Sequence, residues 1–287
     1  MIYYKNLTII IITYKSDEII YKFIKQIPKF IKIIIVENSK NFLLKKNLEK
    51  EHKNVSVYLR KNEGVSGSLN YGVKKTKTKY LLHLSPDLAV NFDDIKIFFE
   101  YAKKLNDKFC ALGPRFLNTK KRGHIQIKKN VKFQKIDSIH GSYMFINKNR
   151  YNEIGGWDKR IFLYFEETDF CYRAKKNGLF CYQINSIKTQ TIDTTVKIND
   201  PQKKKNWLNL LIWHFIWSKY YFTKKKYGLL ISLFIFFPIV IRIFLKLSIY
   251  YLTNNKTMIT KYKFRLSGFF NALVGNKSYL RLNHIKD

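Results

Sequence analysis

The chain has 287 residues, a length that suits one catalytic domain with an appendage. It carries 54 Lys and Arg residues against 20 Asp and Glu residues, a formal net charge of +34. Hydrophobic residues make up 46% of the chain and aromatic residues 16%, which is enough to build a packed core and excludes a disordered basic tail. The charge indicates a polyanionic neighbour, and composition alone leaves nucleic acid, anionic lipid and a phosphorylated substrate open.

The cysteine pattern and the N-terminal apolar run bear on the expected cellular compartment. Cys110, Cys171 and Cys181 are odd in number and lack CxxC spacing, which predicts neither a disulfide framework nor a zinc site and fits a reducing cytosolic compartment. The apolar run Leu7–Ile12 is too short for the core of a signal peptide and predicts a first buried strand.

Apolar runs alternate with helix-like patterns over the first 200 or so residues, which predicts βαβ units and a mostly parallel sheet. Ligands of such sheets bind outside the carboxyl ends of the strands, so the residues that follow each run are the candidates for a site. The predicted strands are Leu7–Thr13, Lys32–Glu37, Val55–Leu59 and Tyr80–Leu84, and helices are predicted around Ile19–Ile27 and from near Ser66 to Thr76.

The composition changes after about residue 200. Sixteen Lys and Arg residues stand against one acid in residues 203–287. Gly228–Leu252 is long enough to span a bilayer, but Pro238, Arg242 and Lys246 interrupt it, which predicts a helix lying in the membrane plane or shallowly inserted. The alternative is a buried helical hairpin that packs on the first domain.

Two short motifs fit an anionic ligand and a metal ion. Asn62–Gly72 places glycines ahead of a helix N-terminus, where backbone can approach an anion closely. Ser85-Pro86-Asp87 puts one carboxylate at a strand end, which suits a hard divalent cation that also touches phosphates. Each motif alone is also typical of a purely structural turn or helix cap.

An acidic cluster follows an aromatic run. Glu166, Glu167 and Asp169 lie within four residues, close to Arg173. Unless they are solvated, bound to metal or held by the arginine, at least one of these carboxyls should have a raised pKa. The same residues in the first turn of a helix would complement its dipole, and the two interpretations are compatible.

In this order and at these separations, the motifs resemble the family 2 glycosyltransferases with a GT-A fold, especially the rhamnosyltransferase-like branch of bacterial polysaccharide synthesis. The resemblance covers nearly the whole chain, and its longest block, His140–Gly178, is the most specific. It implies a GT-A-type (Rossmann-like) α/β domain over residues 1–202, with a mixed, mostly parallel sheet and helices on both faces. A membrane-associated helical region would follow over residues 203–287. The other matching segments are Thr8–Ser16, Ile34–Ser39, Asn62–Gly72, Leu84–Val90 and Trp213–Gly228.

The resemblance also implies roles for individual residues. Glu167 would be the catalytic base, with Glu166 its rival and Asp169 a supporting or catalytic acid. Asp87 would bind Mg²⁺ or Mn²⁺, and Ser85 in place of a first acid leaves the dependence on metal open. The segment Ile184–Thr195 lacks the His often found there. Nucleotide-sugar contacts would come from Thr13, Tyr14, Glu37, Asn38, Asn62, Gly64, Gly67, Asn70 and Asp87, and acceptor or support contacts from Gly141, Trp157, Asp158 and Arg173.

The expected function is inverting hexosyl transfer from a nucleotide-diphosphate sugar to a glycan or lipid-linked glycan at the cytoplasmic face of the cell membrane. Rhamnose is the sugar most associated with this branch. An anionic membrane surface is an expected partner, and nucleic acid is not, because the sequence contains no nucleic-acid-binding motif. The alternatives are transfer directly to polyprenyl phosphate, a non-enzymatic polyanion- or membrane-binding protein, and an inactive paralogue.

Overall fold

The computed structural model describes residues 3–117, 131–193, 196 and 198–285. Thr194 and Thr195, at the end of the segment without His, lie outside the described residues. The chain forms two compact units: Met1–Asp158 with Glu166–Lys197, and Lys159–Phe165 with Ile198–Asp287.

The first unit is built on one eight-stranded mixed sheet with the order β3-β2-β1-β4-β7-β5-β8-β6. The first four strands in the chain pair in parallel, whereas β7 is antiparallel to both β4 and β5. The strands are β1 (Leu7–Thr13), β2 (Lys32–Glu37), β3 (Val55–Leu59), β4 (Tyr80–Leu84), β5 (Ala111–Phe116), β6 (Phe133–Ile136), β7 (Tyr143–Asn147) and β8 (Cys181–Thr189).

Helices cover both faces of this sheet. Ile9 and Ile11 lie in one hydrophobic cluster and Ile10 in the other, because successive side chains of a strand point to opposite faces. The expected mixed, mostly parallel α/β fold is therefore confirmed. The helices are α1 (Asp17–Ile24), α2 (Phe42–Glu51), α3 (Gly64–Lys75), α4 (Ile95–Lys104), α5 (Lys148–Glu153) and α6 (Glu166–Lys176), with 3₁₀ turns at Tyr3–Asn6 and Phe92–Asp94.

The second unit is helical. It contains α7 (Pro201–Tyr227), α8 (Leu229–Leu252) and α9 (Lys256–Leu273), and a 3₁₀ turn at Leu282–His284. α7 and α9 approach closely at Gly268, where a Cβ atom would lie 2.5 Å from Ile216 Cγ2. The core of the unit joins side chains from all three helices: Trp213, Ile216, Trp217, Tyr220, Phe236, Phe269 and Ala272.

Helix α8 buries only a narrow stripe of its surface. Its buried residues are Ser232, Phe236, Ile243 and Leu247. They follow one another at intervals of four, seven and four residues, which places them on one face of the helix. The rest of the helix is largely exposed although it is apolar. Among the described residues, α8 is the one helix long and apolar enough to cross a membrane by length and composition.

Candidate active site

The carboxyl ends of β1 and β2 lie side by side, with Thr13 opposite Glu37 in the register. The Thr13 hydroxyl is fully buried and has no hydrogen-bond partner, and the same is true of the Ser66 hydroxyl in the first turn of α3. Buried polar groups are nearly always hydrogen-bonded in native proteins, so two unsatisfied hydroxyls suggest a polar ligand. Sequence reasoning missed Ser66, although its place between Gly64 and Gly67 was a usable signal.

Glu37 turns back onto its own loop. Its Oε1 accepts hydrogen bonds from the Ser39 amide, at 2.8 Å, and from the Ser39 hydroxyl, and its Oε2 accepts from the Asn41 amide at 2.7 Å. The neighbouring Asn38 accepts a hydrogen bond from Ser68 Oγ at 3.0 Å, which ties this loop to α3. Glu37 therefore shapes the loop, and its predicted contact with nucleotide stays a prediction.

A cavity of about 460 Å³ opens beside this loop, lined by Lys15, Asp17, Glu18, Ser39 and Asn41. Asp17 accepts a hydrogen bond from Asn41 Nδ2 at 2.6 Å. Burial and the nearby Glu37 carboxylate raise the pKa of Asp17, and the same two causes raise the pKa of the half-buried Tyr14. Asp17 was not among the sequence-predicted residues, because nothing in its local pattern distinguishes it from a helix-capping acid.

The Gly-rich segment forms the start of α3. Asn62 Oδ1 accepts a hydrogen bond from the Gly64 amide at 3.1 Å, and Gly64 has a φ of +78°. Gly67 leaves room for the Glu63 side chain, since a Cβ atom at position 67 would lie 2.7 Å from Glu63 Cβ. These residues fix the shape of the loop, as the sequence predicts for backbone that must approach a ligand.

Asp87 follows β4 and has a carboxylate oxygen, Oδ1, that is buried and has no hydrogen-bond partner. Its main-chain carbonyl accepts a hydrogen bond from the Ile192 amide at 2.8 Å, so the segment after β8 runs beside it. A hard divalent cation prefers such an oxygen ligand. Within the described part of the chain, no three His, Cys, Asp or Glu side chains converge on one point, so a metal here would depend on ligands beyond the protein carboxylates.

Pairing of β4 with β7 brings the residues after β4, which include Asp87, close to the start of α6. Leu84 pairs with Tyr143, and the Ser85 amide donates to the Ser142 carbonyl at 2.8 Å. A Cβ atom on the preceding residue, Gly141, would lie 3.5 Å from Cβ, Cγ and Oε2 of Glu167. The sequence-predicted metal ligand and base thus belong to segments that neighbouring strands place together.

Glu166 and Glu167 differ in exposure and in hydrogen bonding. Glu166 is buried, its Oε2 has no hydrogen-bond partner, and burial together with the Glu167 charge raises its pKa well above the ordinary value. Glu167 is more exposed, and burial also raises its pKa, but its Oε1 accepts a hydrogen bond from Thr168 Oγ1 at 3.1 Å. The two carboxyls titrate as a pair, and Glu167 is the more exposed of the two.

Arg173, which is paired with Asp169, and Asn70 hold the turn formed by Gly155, Gly156 and Trp157. The fully buried Asp169 forms a 2.7 Å ion pair with Arg173, whose other nitrogens donate to the carbonyls of Ile154 and Gly156 at 2.6 Å each. Asn70 Nδ2 donates to the Trp157 carbonyl at 2.9 Å, and Asn70 Oδ1 accepts from the Trp157 amide at 3.0 Å. The contacts described here are structural, and the half-buried Asp158 follows the turn directly.

Residues 8–173, more than half of the chain, match the sequence model of the family described as "Glycosyl transferase family 2". The chain belongs to glycosyl transferase family 2. The family assignment made from the motifs is thus confirmed, and the match ends at Arg173, the partner of Asp169.

Two curated relatives of this family 2 glycosyltransferase are each 27% identical to it. One is "Low-salt glycan biosynthesis hexosyltransferase Agl10" of Haloferax volcanii, matched over 66% of this chain and 69% of the relative. The other is "dTDP-rhamnosyl transferase RfbF" of Shigella flexneri, matched over 54% of this chain and 58% of the relative.

Solved structures share the fold at low sequence identity. A mannosyltransferase, PcManGT of Pyrobaculum calidifontis, in complex with GDP-Man and Mn²⁺, gives a TM-score of 0.53 at 10% identity, covering 93% of this chain and 87% of that one. GalNAc-T7 with UDP, GalNAc and Mn²⁺ gives 0.55 at 15% identity, covering 77% of this chain and 50% of that one. The GT-A-type fold expected from the sequence is that of these transferases.

Proposed function

We propose that this family 2 glycosyltransferase moves a hexose from a nucleotide-diphosphate donor, with inversion, to a glycan or lipid-linked glycan acceptor in cell-surface polysaccharide synthesis. The proposal is supported by the names of the two relatives, a glycan-biosynthesis hexosyltransferase and a dTDP-rhamnosyl transferase. The second makes a deoxyhexose such as rhamnose the first sugar to test. The observation that carries the proposal is the pair of adjacent carboxyls Glu166 and Glu167, of which Glu167 is the more exposed and lies beside Gly141.

Glu167 is the proposed catalytic base. Inverting transfer requires an acceptor hydroxyl to lose its proton as its oxygen bonds to the anomeric carbon, while the diphosphate leaves from the opposite face. Glu167 lies beside Gly141, which has no side chain, so that an acceptor hydroxyl can approach the carboxylate. Burial and the Glu167 charge raise the pKa of Glu166, so a proton held by the pair is proposed to reside on Glu166.

The departing diphosphate is proposed to lie at the carboxyl ends of β1 and β4. Thr13 and Ser66 offer unsatisfied hydroxyls there, and the N-terminus of α3 favours an anion. The unpartnered Asp87 Oδ1 fits a ligand to Mg²⁺ or Mn²⁺. A divalent cation would supply neutralisation of the charge that develops on the diphosphate.

The substitution Glu167→Gln tests the base. We expect it to retain donor binding and to lower kcat by about 10²–10⁴-fold, the usual contribution of general base catalysis. Glu153→Gln, an exposed glutamate paired with Arg150, is the matched control and should retain full turnover. Wild-type turnover in Glu167→Gln would remove this role from Glu167.

The donor class is assigned by thermal stabilisation of the purified protein with dTDP-, UDP- and GDP-sugars, each with and without Mn²⁺. We expect one nucleotide class to raise the melting temperature, and more so with metal. Product analysis with glycan acceptors and with polyprenyl phosphate then separates the proposed reaction from direct loading of a lipid phosphate. Absence of stabilisation by every donor would contradict the proposal.

We also propose that the second unit holds the enzyme at the cytoplasmic face of the cell membrane through α8. Leu230 and Phe234, four residues apart on one face, are 80% and 82% exposed. Lys224–Lys226 precede the helix and supply attraction to anionic headgroups. Arg242, which is exposed within α8, favours a shallow insertion over a complete span.

Vesicle co-sedimentation tests this surface. The full chain should bind vesicles that contain anionic phosphatidylglycerol more strongly than pure phosphatidylcholine vesicles. Leu230→Glu with Phe234→Glu should weaken binding, whereas Leu208→Glu, at an exposed apolar position of α7, should not. Release by alkaline carbonate is expected for shallow insertion, and resistance to carbonate would instead indicate a spanning helix.

A further inference from the structure

The peptide that leads into α6 has a strained backbone. Tyr164 and Phe165 both have a φ of +67°, in the left-handed region that bulky side chains rarely adopt. Such conformations persist only where the surroundings enforce them, and they concentrate at functional sites. The next two residues in the chain are Glu166 and Glu167.

Contacts inside the second unit enforce this conformation. The fully buried Ser218 of α7 donates a hydrogen bond to the Leu163 carbonyl at 2.8 Å. The ring of Phe215 lies 5.5 Å from the Tyr164 ring and 5.7 Å from the Phe165 ring. α7 therefore holds both the main chain and the side chains of the peptide.

A second set of contacts fixes the start of the same peptide. The Phe162 ring stacks on the His214 ring, with 4.6 Å between the ring centres. The Arg281 guanidinium carbon lies 3.6 Å from the centre of the Phe162 ring. His214 is itself bonded through its two ring nitrogens to Ser278 Oγ at 2.8 Å and to the Leu280 carbonyl at 3.0 Å. Residues 162–165 are therefore held by α7 and also by the segment that follows α9.

We propose that Ser218 is a positioning residue for sugar transfer, because it fixes the strained peptide from which the catalytic acids continue. The inference rests on the proposed role of Glu167. Without the bond to Leu163, the strained peptide can relax, and the first turn of α6 can begin in another direction. A base displaced by about 1 Å can lose about 10²-fold in rate, so the bond acts on kcat and leaves donor KM unchanged.

Ser218→Ala tests the inference, with Ser232→Ala as the matched control. Both serines are fully buried in the second unit, but the Ser232 hydroxyl donates to the Leu229 carbonyl of its own helix. We expect Ser218→Ala to lower kcat about 3- to 10-fold, the range that one net hydrogen bond supports, with donor KM as in the wild type. Ser232→Ala should retain the wild-type kcat.

Equal kcat in the two variants would overturn the inference. Loss of donor affinity together with kcat would also overturn it, because that result indicates general loss of structure. If Ser218→Ala does not fold, Phe215→Leu tests the same peptide from a partly exposed position and should likewise lower kcat alone. A wild-type protein that transfers no sugar would refute the proposed function itself, which is a distinguishable result.

Discussion

Replacing Thr168 by Val should move the acid limb of the pH–rate profile to higher pH. The Thr168 hydroxyl donates to Glu167 Oε1 at 3.1 Å and lies 3.0 Å from Ser138 Oγ. Valine retains the shape of threonine but cannot donate a hydrogen bond. The change therefore removes one interaction that favours the ionised form of the proposed base.

The size of the effect follows from the energy of one hydrogen bond. A net contribution of about 0.5–1.5 kcal/mol corresponds to about 0.4–1 pH unit, at 1.36 kcal/mol per unit. Losing the bond raises the pKa of Glu167 further. A larger fraction of the base is then protonated at a given acidic pH, so kcat/KM falls there while its value at high pH changes little.

Glu166 and Cys171 are titratable groups that interact electrostatically with Glu167. Glu166 already has a pKa well above the ordinary value, and hydrogen bonding to Cys181 together with burial raises the pKa of the Cys171 thiol. Thr223→Val is the control, because the Thr223 hydroxyl donates to the Lys219 carbonyl of its own helix, at 2.7 Å. An acid limb that stays at its wild-type position in Thr168→Val would refute the reasoning.

Three further predictions concern the residues that support the site. Arg173→Met leaves the buried Asp169 carboxylate without its cation and should lower the free energy of unfolding by about 3–5 kcal/mol in urea titrations. Gly156→Ala should destabilise more than Gly155→Ala: both have positive φ, but only at 156 would the new Cβ atom lie 2.6 Å from another side chain. Asp87→Ala should weaken donor affinity in the presence of Mn²⁺, measured by calorimetry, and unchanged affinity would argue against a metal ligand there.

Local patterns predicted the first half of the sheet closely. β1 to β4 have the bounds that their apolar runs indicate. In β1, β2 and β4 nearly every residue is buried, because a strand covered on both faces is a nearly continuous apolar segment bounded by polar residues. α3 begins at Gly64, two residues before the predicted start near Ser66, since the Asn62 side chain and the positive φ of Gly64 set its first turn.

Long-range partners could not be predicted in the same way. Asn70 and Trp157 are 87 positions apart in the sequence, and no local pattern indicates that their side chain and main chain pair. The grouping of residues 159–165 with the C-terminal helices is another such case, because those residues stand inside the family block. What places them there is packing against α7, which depends on tertiary structure and not on local propensity.

The Glu166 carboxyl links catalysis to stability. Its pKa is raised in the folded state, so the stability that it contributes is fully present below the ordinary carboxyl pKa and is lost as pH rises through the folded value. Glu166→Gln keeps the shape and remains neutral at all pH values. The variant should therefore melt at a higher temperature than the wild type at pH 8, with a difference that shrinks towards pH 4. A pH-independent difference would mean that Glu166 does not titrate in this way. Higher stability combined with lower turnover would indicate that the buried acid is retained for its effect on Glu167, since function commonly has a cost in stability.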